Sequence, residues 1–483
     1  MRFFRPPRTL TSGHFSFWLS WPQLITWGSV FYTFSLLMTP LEAELGMSRA
    51  ESSLAFSLAL LAEGVMAYAV GRWIDAGHER RVMTLGSIWV GLGLLGHSSV
   101  TSVMGFYAAW IWLGLGLAAT LYTPAFAVVT RRFPQDFRRA IITLTFLGGL
   151  ASTVFIPLFA WWMELWGWRQ ALVAVAALQL LVCAPLHAWL LRGAHGQHAG
   201  LTALNASTAT GGMYSTNSMS STNATYATEA TGATERTVAK GKAVASNAIS
   251  APDSAPGPSP GPARIAASSE PSSSPRSVPA PLPARESVGV HLRQRPFWLL
   301  AVFMVLMMAV TSALPAHMIA LLQESGLSPV WVIAIPATIG VIQVVGRGVL
   351  FVFERYWNVH TANRWIPGFI PLGLLALLVG GFHPTGALVF VLLYGLGNGM
   401  LTIVKGTALA QYVSRDHVGQ LNGLLGMPIA LARAAAPLCV GLLWSPTAGY
   451  QMALLGLLVA SLLATAALWA AQHQALQSPK ASP

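Results

Sequence analysis

The chain has 483 residues, a formal net charge of +12, only 9% charged residues and a mean hydropathy of +0.57. A soluble protein of this length needs more charge on its surface, whereas a chain that crosses a bilayer many times has this composition. The positive balance would suggest nucleic acid in a soluble chain, but here the cations sit in short loops between apolar runs, so no nucleic-acid partner is expected.

In chain order, Met1 to Ser16 is basic and polar and leads straight into an apolar run, so no cleavable leader is expected. Six runs follow, approximately Phe17 to Leu41, Ala50 to Ile74, Val82 to His97, Val103 to Thr130, Ala140 to Met163 and Trp168 to Leu191. Most are long enough for a membrane helix. Arg2, Arg5 and Arg8 precede the first, Arg80 and Arg81 follow the second, Arg131, Arg132, Arg138 and Arg139 follow the fourth, and Arg192 follows the sixth. Loops on the other face hold only Arg49 and Arg169. The bias places the amino terminus and the even-numbered loops in the cytoplasm, and with an even number of spans the carboxyl terminus as well.

From 193 to 292 the composition turns to Ser, Thr, Ala, Pro and Gly, which cannot bury a core, so a disordered cytoplasmic linker is expected. Six further runs span roughly Phe297 to Leu322, Pro329 to Phe353, Trp365 to Phe382, Ala387 to Tyr412, Val418 to Trp444 and Tyr450 to Trp469. The halves echo one another in the same order. Gly114-Leu115-Gly116 returns as Gly395-Leu396-Gly397, Asp136 as Asp416, and Pro157-Leu158 as Pro437-Leu438. The expected fold is an all-α membrane protein of twelve transmembrane helices in two six-helix, pseudo-symmetric bundles. Its domains are 1–192, the linker 193–292, 293–473 and a tail 474–483, the architecture of transporters that rock two bundles about a midplane site.

The charged knot Gly71-Arg72-Trp73-Ile74-Asp75-Ala76-Gly77-His78-Glu79-Arg80-Arg81 joins the second and third runs. Its Gly-x-x-x-Asp followed by paired Arg resembles the signature loop of the major facilitator superfamily. That resemblance gives Gly71 a role in close helix approach and makes Asp75, Arg80 and Arg81 a conformational latch. Val128 to Pro134, the Arg138-Arg139-Ala140 that follows, Gly167-Trp168-Arg169-Gln170-Ala171-Leu172 and Gly346-Arg347 resemble the monocarboxylate-porter and oxalate/formate-exchanger branch. The resemblance implies a proton-coupled or exchanging secondary transporter of a small organic anion. It departs from the branch in lacking a first-helix lysine and in carrying Gln343 where an Asp precedes the arginine by four residues.

Ionisable residues inside apolar runs persist only where something needs them, because a charge at the bilayer centre costs about 2.5 to 3.5 kcal/mol on insertion scales. Four stand out: Glu63, Arg347, Lys405 and Arg433. Three cations against one carboxylate make a positive interior that attracts anions. Arg347 and Gln343 share a helix face and suit a carboxylate, with Lys405 and Arg433 as further anion contacts. Glu63 is the candidate proton-coupling group, or else a structural partner of Lys405 or Arg433. Tyr32, Tyr122, His317 and Asn398 are candidate path-lining residues, with Pro124 and Pro315 marking helix breaks beside a cavity.

Cys183 and Cys439 lie in apolar runs of opposite halves, so neither a disulfide framework nor a metal site is expected, and no cofactor. No nucleophile-base pair or phosphate-cradling loop indicates an enzyme. The partners expected are an anionic small molecule, protons and the lipid of a bacterial-type inner membrane, with the chain acting as a monomer. Two other functions fit less of the sequence: a xenobiotic exporter of the same superfamily, and a sensor signalling through the linker.

Overall fold

Every apolar run becomes helix, because backbone polar groups within a bilayer must be satisfied inside their own segment. The computed structural model describes residues 11–192, 288–353, 358–380, 383–414 and 417–477, all helical or short turns apart from an isolated bridge between Ser445 and Gly449. The linker, apart from its last five residues, lies outside the described residues, as do Arg2, Arg5, Arg8, Glu354 and Asp416.

The first span is α1 (Ser12–Thr26), a π-helical turn (Trp27–Tyr32) and α2 (Thr33–Leu45), closed by Gly46 in the left-handed conformation. The second is α3 (Arg49–Asp75), begun by a reciprocal capping box between Ser48 and Glu51. The third is α4 (Glu79–Ser98), the least apolar because Glu79, Arg80 and Arg81 fill its first turn.

The fourth span was read as one run but is broken into α5 (Val103–Thr120) and α6 (Tyr122–Arg132), with Leu121 extended between them. Pro124 has no N–H for the Thr120 carbonyl four residues back. Gln23 Nε2 donates to that carbonyl instead, at 2.6 Å. The fifth and sixth spans are α7 (Phe137–Gly149), α8 (Ala151–Leu178), a second π turn (Gln179–Cys183) and α9 (Ala184–Leu190). Within α8, Gly167 at φ 80° and ψ 163° turns the chain back, so one nominal helix makes two crossings.

After the short α10 (Val288–Leu292), the seventh and eighth spans are α11 (Arg295–Glu324) and α12 (Pro329–Phe353). The ninth is α13 (Val359–Trp365), a 3₁₀ turn and α14 (Phe369–Val379). The last three are α15 (Pro384–Tyr412), α16 (Val418–Leu443) and α17 (Gln451–Gln477). Among the described residues these make twelve crossings, six in each half. The halves meet along two seams, α3 against α16 and α8 against α12, and α11 packs on α2. Small residues permit the seams: a Cβ on Gly441 would lie 2.5 Å from Ser53 Oγ, and one on Gly340 2.4 Å from Thr153 Oγ1.

Candidate functional site: a cavity between the halves

The π turn Trp27–Tyr32 and the break at Leu121 face each other across the first half, and both open onto a cavity of about 340 Å³ at the seam with the second half. A π turn widens the helix locally, a distortion frequent at functional sites. Here it puts Trp27, Phe31 and Tyr32 on the cavity wall, where Tyr122 and Phe126 join them. The Trp27 and Tyr122 rings lie 5.3 Å apart, and Tyr122 and Phe126 stack at 5.3 Å with a 13° tilt.

The second half supplies the polar wall. Gln343 and Arg347 come from α12, Asn398 and Lys405 from α15, and Arg433 from α16. Helices α12 and α15 touch at Gly399, where a Cβ would fall 2.3 Å from the Gln343 carbonyl oxygen, and this approach sets Asn398 beside Gln343. The Arg347 Nε donates to the Gly399 carbonyl at 3.2 Å, and its Nη1 donates across the seam to the Thr145 carbonyl. No carboxylate pairs with Arg347 or Lys405 among the described residues; the Lys405 Nζ lies 2.7 Å from Met308 Sδ. Glu63, the acid on the wall, meets Arg433 Nη2 at 3.4 Å. Three cations and one carboxylate leave the wall with an excess of positive charge, which favours anions.

The expected residues Arg347, Gln343, Lys405, Arg433, Tyr32, Tyr122, Asn398 and Glu63 thus surround one space. His317 does not. Its Nε2 donates to the Pro437 carbonyl at 2.9 Å and its Nδ1 accepts from the Tyr450 hydroxyl at 3.1 Å, which builds it into the seam. Among the lining residues that sequence reasoning missed are Phe31, Phe126, Gly148 and Gly149. A Cβ on Gly148 would sit 2.2 Å from the Tyr122 hydroxyl, and one on Gly149 2.8 Å from Arg347 Nη1, so the pair makes room for both side chains. A Gly-Gly doublet inside an apolar run was the available signal.

Beyond the cavity in one direction the halves are tied shut. Arg49, 7% exposed at the start of α3, reaches Glu42 of its own half at 3.1 Å and Glu324 of the other at 2.9 Å. Its Nη1 donates to the Tyr450 hydroxyl at 2.8 Å, and its guanidinium lies 5.2 Å from the Trp444 ring. The Trp444 Nε1 donates to Glu324 at 2.8 Å, Ser52 donates to Glu42, and Thr39 donates to Gln323 at 3.1 Å. Ser57, two turns along α3 from Arg49, accepts from Leu438 N at 3.1 Å.

In the other direction lies the charged knot, whose described bonds run within the first half. Arg131 donates to the Ile74 carbonyl, Arg80 to Ala188 at 2.9 Å, and Arg132 pairs with Glu79 at 3.6 Å. Asp75 is exposed and forms no ion pair among the described residues. A Cβ on Gly71 would meet nothing within 4 Å among the described residues, so the close helix approach expected there is not made in this conformation. Arg81 is exposed as well.

Known proteins share this fold of two helical halves with a cavity between them. The crystal structure of the nucleoside transporter NupG superposes with a TM-score of 0.61 at 14% identity, covering 96% of this chain and 99% of that one. A bacterial homologue of the human lysosomal transporter Spinster, in an inward-facing and unoccupied conformation, gives 0.62 at 14% identity, covering 97% and 99%. At such identity these show the fold alone.

In sequence, monocarboxylate transporter 13 of Rattus norvegicus is 38% identical over 103 residues, covering 21% of this chain and 24% of the relative. Its Bos taurus counterpart is 39% identical over 106 residues, covering 22% and 24%. The match therefore spans about a quarter of the length of these curated relatives. The family profile of the Major Facilitator Superfamily matches residues 23–403, most of the chain, and the protein is a multi-pass membrane transporter belonging to that superfamily.

Proposed function

We propose that the protein carries a small organic anion across the membrane by alternating access, coupled to protons or by exchange. The observation that carries this reading is the composition of the cavity wall, where Arg347, Lys405 and Arg433 face one carboxylate, Glu63. The part-buried Arg347 guanidinium has a planar fork that suits a carboxylate's geometry, and Gln343, one turn away on α12, supplies a neutral donor beside it. The partial sequence match to monocarboxylate transporter 13 agrees with this substrate class.

Glu63 is the proposed proton-coupling group. It faces the cavity and holds Arg433 across the seam, so its protonation would release a cation of the opposite half. This joins the two sequence alternatives, since the structural partner of Arg433 and the proton site are then one residue. The arginine-rich loops, including Arg80, Arg81, Arg131, Arg132, Arg139 and Arg192, lie toward the end away from the Arg49 cluster, which the positive-inside rule assigns to the cytoplasm. On that reading the chain is inward-facing, with both termini cytoplasmic, in a bacterial-type inner membrane and functioning as a monomer. Gly71, Asp75, Arg80 and Arg81 then serve as the latch of the opposite conformation, when the cytoplasmic end closes.

Uptake into proteoliposomes tests the proposal across carboxylates, amines and sugars, with and without an inward proton gradient. Saturable carboxylate uptake supports it. Selective transport of amines or sugars with no carboxylate uptake overturns it.

A further inference from the structure

The two halves line the cavity with different chemistry. Every ring on the wall comes from the first half: Trp27, Phe31, Tyr32, Tyr122 and Phe126. Every cation comes from the second, and no aromatic ring lines the cavity from that side among the described residues. Phe31 is buried and packs on Phe56 at 5.1 Å, in a core completed by Phe34 and Trp110. Trp27, Tyr122 and Phe126 are only half-buried and form a continuous surface from the π turn to α6.

Resting on the anion reading above, we infer that the substrate is an aromatic carboxylate, its ring against Trp27, Tyr122 and Phe126 and its carboxylate toward Arg347 and Lys405. A short aliphatic acid meets the cations and leaves the ring surface facing water. An aromatic hydrocarbon or alcohol meets the rings and leaves the cations without a counter-charge. A molecule with both ends touches both halves, and only such a molecule makes contacts that depend on how the halves are disposed. Differential contact of this kind is what a ligand needs to shift a conformational equilibrium. The space agrees: about 340 Å³ is near the low end of small-molecule sites, which run from about 300 to 1,000 Å³.

The test is uptake and competition in proteoliposomes of the full chain with benzoate and phenylacetate, against acetate, lactate and benzyl alcohol. The aromatic acids are expected to enter or compete at concentrations at least about tenfold lower than acetate and lactate, since favourable ring contacts add to the charge contact. Trp27→Ala and, separately, Phe126→Ala should reduce that selectivity ratio several-fold, and Trp27→Phe should retain most of it. Two separate variants guard against one that fails to fold. Equal handling of lactate and benzoate overturns the inference while leaving the anion transporter intact. Benzyl alcohol competing as well as benzoate removes the carboxylate from recognition and overturns it too. Absence of uptake for every carboxylate overturns the anion reading itself, and this inference with it.

Discussion

Arg49 and Arg131 occupy comparable places at opposite ends of the transporter. Each is partly or wholly buried near a helix end and donates to neighbouring oxygens. Arg49 reaches Glu324 and Tyr450 of the other half, whereas Arg131 reaches the Ile74 carbonyl of its own. The Arg49 bonds therefore tie the seam at one end, while the Arg131 bond to Ile74 braces its own bundle at the other. What separates them is where the partner sits, and only a partner in the opposite half opposes rocking. The Arg49 cluster is also a chain of donors: guanidinium to Tyr450 hydroxyl, hydroxyl to His317 Nδ1, and Nε2 to the Pro437 carbonyl.

The sharpest way to break the comparison is Arg49→Ala. Hydrogen bonds to charged groups contribute about 1.5 to 3 kcal/mol each, so loss of the cross-seam set should favour the conformation open at that end by tenfold or more. In a Cys439→Ser background, Ser312→Cys on the cavity wall should become correspondingly more reactive to an impermeant maleimide added from the sealed side. Unchanged labelling would mean that the cluster does not hold the seam.

Glu63→Gln acts midway between the ends, at the tie to Arg433. It should abolish stimulation of uptake by a proton gradient while substrate exchange continues within a few-fold. Full retention of the gradient response would remove Glu63 from coupling.

At the knot, Asp75→Asn should slow turnover a few-fold with substrate affinity nearly unchanged, because Asp75 makes no ion pair among the described residues and its proposed latch role belongs to the conformation closed at the knot's end. Loss of binding with normal turnover would contradict that assignment.

The smallest effect is expected outside both ends. Replacing Gly200 to Ala280 with a short Gly/Ser tether should leave transport within about twofold, since the cost of flexible loop length grows slowly. Loss of transport with normal insertion would favour a signalling role for the linker.

The helices were legible because hydropathy reports membrane crossing directly, and Glu63, Arg347, Lys405 and Arg433 were legible because an ion in an apolar run is an anomaly that demands a cause. The seal was not. Glu42, Arg49 and Glu324 sit near helix ends, where charge is ordinary, and nothing in the order of residues says that positions 49 and 324 meet. His317 looked like a path-lining residue beside the Pro315 break, but a neutral ring can satisfy both nitrogens inside a seam, as it does here. The π turn at Trp27–Tyr32 has no sequence mark either, since a single i→i+5 turn inside an apolar helix needs no particular residue type. The break at Leu121 was half visible, in Pro124, while the donor that makes it tolerable, Gln23, lies in another span.

The central claim is that the cations of the second half hold the anionic end of the substrate, and Arg347 tests it most directly. Once a transported carboxylate is in hand, its binding and uptake should be compared in the wild-type chain, Arg347→Lys and Arg347→Ala at matched membrane insertion. The account predicts at least a tenfold loss of affinity in Arg347→Ala and an intermediate loss in Arg347→Lys, which keeps the charge and lacks the planar fork. Wild-type binding and uptake in both variants would contradict it.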